Sequence, residues 1–272
     1  MLRQLSIRGA QYTPQFLKSW IHHNRSFDFV ARKLFARMLG SGVVSIPDGP
    51  MKGIRLVCGP HVSHAHLRGV YERETQEALD KHVKPGFICY DLGASIGYLS
   101  LLMARKARQV FAFEPAPHAA AEIRRHMAAN GIENITIVPS PVSNDEREVS
   151  FVLTDVAFGS SINETETRWP VMKVRTTTLD RFLEGHPGPD FIKIDIEGEE
   201  GRALAGARTL LAKHRPIICC ELHSVQAARE VHDALRDFAY SIQTLDGVEF
   251  SIAGEVIPGE VQVMCLPNEI AA

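Results

Sequence analysis

The segment Tyr90-Asp91-Leu92-Gly93-Ala94-Ser95-Ile96-Gly97 decides the fold, together with the apolar run that ends in Phe113-Glu114-Pro115. It predicts a β-strand, a glycine turn, a helix and a second strand with an acidic residue at its tip. Gly93 allows a sharp turn after the strand, and Gly97 lets the next helix pack close to the sheet. This order is typical of an open α/β sheet whose acidic residue binds the ribose of an adenosine-containing cofactor.

The middle of the glycine turn separates two classes of cofactor. A dinucleotide-binding turn reads G-x-G-x-x-G, whereas Ser95 replaces the middle glycine here. Asp91, at the end of the predicted strand, would repel a pyrophosphate but suits the ammonium group of a methionine moiety. Glu114 follows at the chain distance expected of a carboxylate that accepts ribose hydroxyls. These residues indicate S-adenosylmethionine; the alternative is an ordinary βαβ unit whose glycines serve only packing.

The predicted cofactor site extends over three segments of the chain. Asp91 and the glycine turn are expected to hold the methionine moiety, and Glu114 the ribose. The segment Pro141-Val142-Ser143, after the third strand, is the expected wall for the adenine. The residues predicted to bind the cofactor are Asp91, Gly93, Ala94, Gly97, Glu114 and Val142.

Composition excludes several classes of protein. The 272 residues are 45% hydrophobic and 23% charged, as is ordinary for globular domains. The net charge of −2 creates no general attraction to nucleic acid or acidic membranes. The five cysteines form no C-x-x-C pair and favour a reducing compartment. With no signal peptide and no apolar run of about 18 residues, we expect a cytoplasmic protein without membrane or nucleic-acid partners.

Alternating patterns predict an α/β architecture with an N-terminal extension. Residues 1–68 are predicted as a helical and β-prone extension, with an amphipathic helical part over 1–40, and residues 69–272 as the cofactor-binding domain. The sequence predicts strands over 87–92, 109–113, 135–138, 148–153, 171–175, 190–195 and 216–221, and helices over 71–82, 98–106, 117–129, 199–214 and 225–238. A mostly parallel sheet with an antiparallel C-terminal hairpin within 241–266 follows. The long 154–170 loop is predicted to be a lid or recognition element.

Further motifs carry a family resemblance. They are Lys84-Pro-Gly86, Thr178-Leu-Asp180, Lys193-Ile-Asp-Ile-Glu-Gly198 with Glu200, and Glu221-Leu222, in addition to the two segments above. In this order and spacing the chain resembles the FkbM family of class I methyltransferases over about residues 70–225. The resemblance implies a Rossmann-like fold with a seven-stranded sheet, and methyl transfer, usually to a hydroxyl of a sugar or secondary metabolite. Ser95 stands where the family usually carries Asn.

Acidic side chains and one histidine follow two predicted strands at their carboxyl ends. Asp195 and Glu197 end one strand, and Glu221 and His223 end the next, so these groups are expected to face one pocket. The candidate catalytic residues are Asp195, His223 and Glu197.

Three interpretations of this cluster stay open. In the first, Asp195 or His223 is the general base for a substrate hydroxyl, since an imidazole near its ordinary pKa suits that task. In the second, Asp195, Glu197 and Glu221 bind a hard cation such as Mg²⁺, which lowers the hydroxyl pKa. In the third, the glutamates at 197, 199 and 200 only favour the positive end of the following helix.

Two features precede the cofactor-binding segment. His61, His64 and His66 have metal-ligand spacing but no nearby cysteine or fourth ligand, so we predict a solvated loop and assign no metal ligand. The pair Tyr71-Glu72 is predicted either to close over the cofactor or only to begin a helix.

The combined interpretation is an S-adenosylmethionine-dependent O-methyltransferase for a small acceptor, such as a glycan unit or secondary metabolite. The Asn-Pro-Pro-Tyr type of motif found in nucleic-acid amino methyltransferases is absent, and Asp195-Ile-Glu-Gly198 stands in its place. Two alternatives remain. One is a nicotinamide-dependent oxidoreductase, which Ser95 and Asp91 disfavour. The other is a non-catalytic scaffold that binds S-adenosylmethionine.

Overall fold

The computed structural model describes residues 42–153, 161–162, 169–251 and 260–271. The predicted amphipathic helix over 1–40 lies outside these residues, as does most of the predicted 154–170 recognition loop. Within the described part of the chain, no helix has both the length and the apolar character needed to span a membrane.

Strands and helices alternate along most of the described chain. The strands are β1 Val43–Ser45, β2 Arg55–Val57, β3 Ile88–Leu92, β4 Gln109–Phe113, β5 Ile135–Val138, β6 Glu148–Val152, β7 Ser161–Ile162, β8 Val171–Arg175, β9 Phe191–Ile194, β10 Ile217–Leu222, β11 Tyr240–Thr244 and β12 Val261–Pro267. The helices are α1 His64–Arg68, α2 Arg73–His82, α3 Tyr98–Ala104, α4 Pro117–Asn130, α5 Leu179–Leu183, α6 Glu200–Ala205, α7 Arg208–His214, α8 Val225–Leu235 and α9 Asn268–Ala271. A short 3₁₀ helix, Arg236–Phe238, follows α8.

A seven-stranded sheet organises the domain, in the order β11-β12-β10-β9-β3-β4-β5. The five strands from β10 to β5 pair in parallel. Strand β12 runs antiparallel to both β10 and β11. The predicted Rossmann-like α/β fold, with a mostly parallel sheet and an antiparallel C-terminal hairpin, is therefore confirmed. Strand β4 lies on one side of β3, and β9, which comes later in the chain, lies on the other side. In such sheets, ligands bind at the point where the strand order reverses, which here is outside the carboxyl ends of β3 and β9.

The central strand is buried on both faces, as parallel strands in α/β sheets are. Ile88, Tyr90 and Leu92 pack with helices α5 to α8 on one face. Cys89 packs with helices α1 to α4 on the other face. Because side chains alternate along a strand, Asp91 points to the same face as Cys89.

The described part of the predicted extension packs onto the domain. Val44 and Leu56, from the β1–β2 hairpin, belong to the same apolar core as Leu79 of α2 and Leu101 of α3. Leu67 of α1 joins the same core. The boundary at residue 68 itself stays a prediction.

The predicted helix over 199–214 is two helices, α6 and α7. The break falls at Gly206 and Ala207, whose backbone angles leave the helical region. Gly206 lies so close to the main chain before β6 that a Cβ there would be 2.6 Å from the carbonyl oxygen of Ser143. The helix ends where only a glycine fits, and α7 then starts in a new direction.

The glycine turn after β3 also depends on a close approach. Gly93 has a φ of 79°. A Cβ at this position would lie 1.8 Å from the carbonyl oxygen of Asp195, on the neighbouring chain segment after β9. Gly93 therefore serves two purposes, because it allows the turn and it lets β9 continue beside β3.

We expect Gly93→Ala to lower the free energy of unfolding by at least about 2 kcal/mol, because the methyl group must displace main-chain atoms as well as occupy a left-handed conformation. Gly86→Ala is the matched control, since Gly86 has a φ of 89° but no atom within 4 Å of its Cβ position. Gly86→Ala should lower the free energy of unfolding by only about 1 kcal/mol, because alanine disfavours the left-handed conformation. Urea unfolding of both variants measures the difference in the free energy of unfolding. Equal losses of stability would contradict a stabilising role for the close approach of Gly93 to the Asp195 carbonyl.

Candidate active site

A pocket opens at the carboxyl ends of β3, β4 and β9. Its lining includes Glu72, Asp91, Gly93, Glu114, Lys193 and Asp195. A second pocket beside it is lined by Phe113, Pro141 and Val142, and it shares Gly93, Glu114 and Asp195 with the first. The structure thus brings most of the predicted cofactor residues to one edge of the sheet.

Two of the predicted cofactor residues differ in what they contact. Ala94 lines the first pocket. Gly97 instead packs against α4, where a Cβ would meet the side chain of Ile123 at 3.0 Å. Gly97 is therefore closely packed, but against helix α4, and the expected close packing of its helix against the sheet stays a prediction.

Asp91 is a buried carboxylate with one unused acceptor. Its side chain lies at the end of β3 and is 1% exposed. The hydroxyl of Ser100 donates to Oδ2. Oδ1 has no hydrogen-bond partner among the described residues and lies 3.7 Å from the ammonium of Lys193. Burial raises the pKa of Asp91, and the nearby Lys193 opposes that rise. A buried acceptor without a donor is costly unless a ligand supplies one.

Glu114 is held by backbone donors at the end of β4. The N–H of Ser95 donates to Oε2 over 2.8 Å, and the N–H of Ala116 donates to Oε1 over 2.7 Å. Ser95 adopts a φ of 49°, which turns its N–H toward β4. Burial raises the pKa of Glu114 to about 7, and the two backbone hydrogen bonds oppose that rise. The carboxylate is therefore fixed in orientation beside Asp91.

Lys193 is a functional residue that the sequence interpretation left without a role. It sits within the buried strand β9, and its ammonium lies 3.2 Å from Asp195 Oδ2 and 3.3 Å from the carbonyl oxygen of Gly93. Burial acts to lower the pKa of Lys193, but the carboxylates of Asp195, Asp91 and Glu72 raise it overall. The available signal was a charged residue inside the apolar run Phe191–Ile194, because lysine is almost never fully buried unless it is paired.

The Tyr71-Glu72 pair both faces the pocket and precedes a helix. Glu72 has a φ of 45° and lies directly before α2. Its Oε2 is buried and has no hydrogen-bond partner among the described residues. The ring of Tyr71 lies 4.2 Å from that of His66 and 5.7 Å from that of Tyr98. Burial raises the pKa of Glu72, while the charge of Lys193 lowers it.

The candidate catalytic residues lie close together at the ends of β9 and β10. Asp195 and Glu197 line the first pocket, whereas Glu221 lines a separate one, so the expectation that these groups and His223 face one pocket stays a prediction. His223 Nε2 lies 3.5 Å from Asp195 Oδ1 and 3.7 Å from Glu197 Oε2. Its Nδ1 lies 3.0 Å from Glu200 Oε1. The three predicted catalytic residues therefore face one another across the ends of β9 and β10.

The charge state of His223 differs from the expected one. The hydrogen bond to Glu200 raises the pKa of His223 to about 9, against the effect of burial, and the charges of Glu200, Asp195 and Glu197 add to the rise. The imidazole is accordingly protonated at neutral pH instead of titrating near its ordinary value. It acts there as a cation and hydrogen-bond donor.

Glu221 adds a further carboxylate to this cluster. Burial raises the pKa of Glu221 to about 7, and the neighbouring Asp195 and Glu72 contribute. Within the described ranges, one group could hold a metal ion, namely Asp195, Glu221 and His223, with one ligand atom each within 4.8 Å of one another. The predicted Mg²⁺ set named Glu197 in place of His223, and the Mg²⁺ site stays a prediction.

The histidine motif is partly buried, and His64 and His66 belong to α1, which corrects the prediction of a solvated loop. His66 is 1% exposed, and its Nδ1 accepts from the N–H of Ser63 over 3.0 Å. His61 Nδ1 instead pairs with Glu122 Oε1 at 2.9 Å. Each of these two imidazoles therefore contributes to local structure, with a different partner.

Comparisons with known proteins show the family of the chain. The chain matches the Methyltransferase FkbM domain model over residues 91–242, which is more than half of its length. It is 25% identical over 173 residues to an uncharacterised protein of Methanocaldococcus jannaschii, a match that covers 62% of this chain and 62% of that protein. It is 26% identical to the hexuronic acid methyltransferase AglP of Haloferax volcanii, over 65% of this chain and 72% of AglP.

Among solved structures, the methyltransferase FkbM from Methylobacillus flagellatus is 18% identical to this chain. The superposition has a TM-score of 0.46 and covers 74% of this chain and 53% of that chain. The match to the domain model spans β3 to β11, and so includes both the glycine turn and the Asp195–His223 cluster. The chain belongs to the FkbM methyltransferase family.

Proposed function

We propose that the protein transfers a methyl group from S-adenosylmethionine to a hydroxyl group of a small acceptor, such as a glycan unit or a secondary metabolite. The observation that carries the proposal is the buried Oδ1 of Asp91, which accepts no hydrogen bond from the described residues and lies in the same pocket as the fixed carboxylate of Glu114. The relative AglP, whose name describes a hexuronic acid methyltransferase, supports a sugar as the acceptor.

The residues present fit the cofactor that the family implies. Asp91 Oδ1 and Glu72 Oε2 are both buried acceptors without donors, and an α-ammonium group supplies three donors. Glu114 offers a carboxylate to the ribose hydroxyls. Val142 and Pro141 form an apolar wall suited to an adenine ring. When bound, S-adenosylmethionine supplies an electrophilic methyl group on a sulfonium.

The reaction side has a carboxylate acceptor and a cation next to it. Asp195 would accept the proton of the acceptor hydroxyl. The oxygen of that hydroxyl would bond to the methyl carbon as the bond between this carbon and the sulfonium sulfur breaks, leaving S-adenosylhomocysteine. The imidazolium of His223, 3.5 Å from Asp195, stabilises the negative charge that the oxygen develops. Glu197, 3.7 Å from the same Nε2, holds the ring toward Asp195. Lys193 keeps Asp195 and Asp91 at the same edge.

The two alternatives differ from this proposal in measurable ways. A nicotinamide-dependent oxidoreductase requires a pyrophosphate beside the buried Asp91 carboxylate, which would repel it. A non-catalytic scaffold requires cofactor binding without turnover.

Native protein is expected to bind S-adenosylhomocysteine with a micromolar dissociation constant, and the Asp91→Ala/Glu114→Ala double variant is expected to lose that binding. The variant removes the acceptors for both the ammonium and the ribose. Calorimetric titration measures the affinity, and Glu184→Gln, at an exposed carboxylate directly after α5, is the control. No binding by the native protein would show that the glycine turn serves packing only, and tight binding of NADH would favour the oxidoreductase.

The affinity for S-adenosylhomocysteine is expected to rise with pH through about 7, the value to which burial raises the pKa of Glu114. Ribose hydroxyls donate to the ionised carboxylate, which is the minor form below this pH. Between about pH 8 and pH 6 the loss is about tenfold, which corresponds to one pKa unit. Calorimetry at several pH values measures the slope. Glu114→Gln should flatten it, and an unchanged slope in that variant would assign the titration to another group.

Asp195→Ala and His223→Ala are each expected to lower kcat about a hundredfold, because each removes a group that acts on the acceptor proton or its charge. Transfer of a radiolabelled methyl group to a hydroxylated acceptor measures kcat. Calorimetry with S-adenosylhomocysteine shows whether the cofactor site is intact. Only mild losses of methyl transfer would remove the catalytic assignment.

The pH profile separates the two roles open to His223. The groups that face it are Asp195, Glu197 and Glu200, and they hold its pKa at about 9. If the imidazolium supports the reaction, kcat is constant below this pH and falls as pH rises through it. If the neutral imidazole is the base, kcat instead rises through the same range.

A further inference from the structure

Glu200 does not behave as a helix-end charge. It opens α6, where an exposed carboxylate would favour the positive end of the helix. Its side chain is instead 0% exposed and turned into the protein. The preceding Glu199 is partly exposed, pairs with Arg202 at 3.2 Å and accepts from the hydroxyl of Ser143 over 2.8 Å. A fully buried carboxylate calls for a structural or functional reason.

One oxygen of Glu200 joins two parts of the reaction-side cluster. Oε1 accepts from the N–H of Gly198 over 3.0 Å and from the N–H of Ile196 over 3.3 Å. These donors belong to the turn that carries Asp195 and Glu197. Glu197 and Gly198 both have positive φ values, 56° and 107°, which bring the two N–H groups to the same side.

The same oxygen accepts from the imidazole of His223. Nδ1 lies 3.0 Å from Oε1, so the Nδ1–H donates to Glu200 and Nε2 is left to face Asp195 and Glu197. A carboxylate behind a histidine fixes both the orientation of the ring and which nitrogen faces the reacting groups. His223 lies 23 residues beyond Glu200, on the segment after β10.

We propose that Glu200 is a positioning residue for the methyl transfer proposed above: it locks the Asp195–Gly198 turn to the His223 ring and holds Nε2 toward Asp195. This proposal rests on the proposed function for its kinetic consequence, but the coupling between Glu200 and His223 exists in the protein without any ligand. The groups that face His223 are Glu200 on α6, Asp195 and Glu197 after β9, and Glu221 on its own strand.

The test is the titration of His223 by NMR in native protein and in Glu200→Gln. Glutamine keeps a carbonyl oxygen for the N–H groups of Ile196 and Gly198 but removes the charge. The His223 signal is identified by its loss in His223→Gln. The pKa is expected to be about 9 in native protein and to fall by more than one unit, toward about 6.5, in Glu200→Gln. Glu184→Gln, a surface carboxylate, should leave the titration unchanged.

Kinetics then test the role in catalysis. Glu200→Gln is expected to lower kcat about tenfold with unchanged affinity for S-adenosylhomocysteine, because the ring is less well oriented. The fall of kcat at high pH should move to lower pH by the same amount as the His223 titration. A merely structural role would change stability and leave this pH profile in place.

The outcomes separate the positioning role of Glu200 from the proposed methyl transfer. A His223 pKa that is unchanged in folded Glu200→Gln overturns the positioning role. A native His223 whose Nδ1 carries no proton by NMR overturns it without any variant, because the hydrogen bond to Glu200 requires that proton, so the test does not depend on the variant folding. If native protein transfers no methyl group to any acceptor, the proposed function fails, while the titration still decides whether Glu200 controls His223.

Discussion

The buried ammonium of Lys193 is the interaction on which the rest of the site depends. It lies 3.2 Å from Asp195 and 3.7 Å from Asp91, and Lys193 pairs in register with Asp91 across β9 and β3. Parallel strands end at the same edge of a sheet, so their terminal carboxylates converge, and unpaired charges there would repel each other and lose hydration. The ammonium of Lys193, on the buried strand β9, offsets this repulsion between the carboxylates. It lets a cofactor-side carboxylate and a reaction-side carboxylate lie next to each other.

Local signals were enough to predict the fold and the meeting of most of the candidate cofactor residues at one edge of the sheet. The strand β3, the turn at Gly93, helix α3 and the carboxylate of Glu114 lie within one short stretch of sequence, and each has a recognisable residue requirement. The apolar runs of the parallel strands also stand out, because these strands are buried on both faces. The helix over 199–214 was predicted too long, since the contact of Gly206 with the Ser143 carbonyl depends on a distant part of the chain.

The reaction side was only partly predictable, since its properties arise from tertiary contacts. Sequence spacing brought Asp195, Glu197 and His223 together, but it could not show that the side chain of Glu200 is fully buried against His223. That contact raises the pKa of His223, because the buried Glu200 carboxylate accepts from its Nδ1. A histidine expected to titrate near neutrality is thereby a cation at neutral pH. The sequence pattern identified His223 as a candidate, and its tertiary contacts determine its charge.

The cofactor side and the reaction side are joined through Gly93. The sequence explains this glycine by the turn after β3, but the structure adds the close approach of the Asp195 carbonyl, which a Cβ would prevent. The Gly93 carbonyl in turn accepts from Lys193, the residue that pairs with Asp195. The glycine turn and the Lys193–Gly198 segment are therefore one structural unit, although about a hundred residues separate them. Asp195 and the residues predicted to bind the cofactor are therefore held in register by the sheet itself.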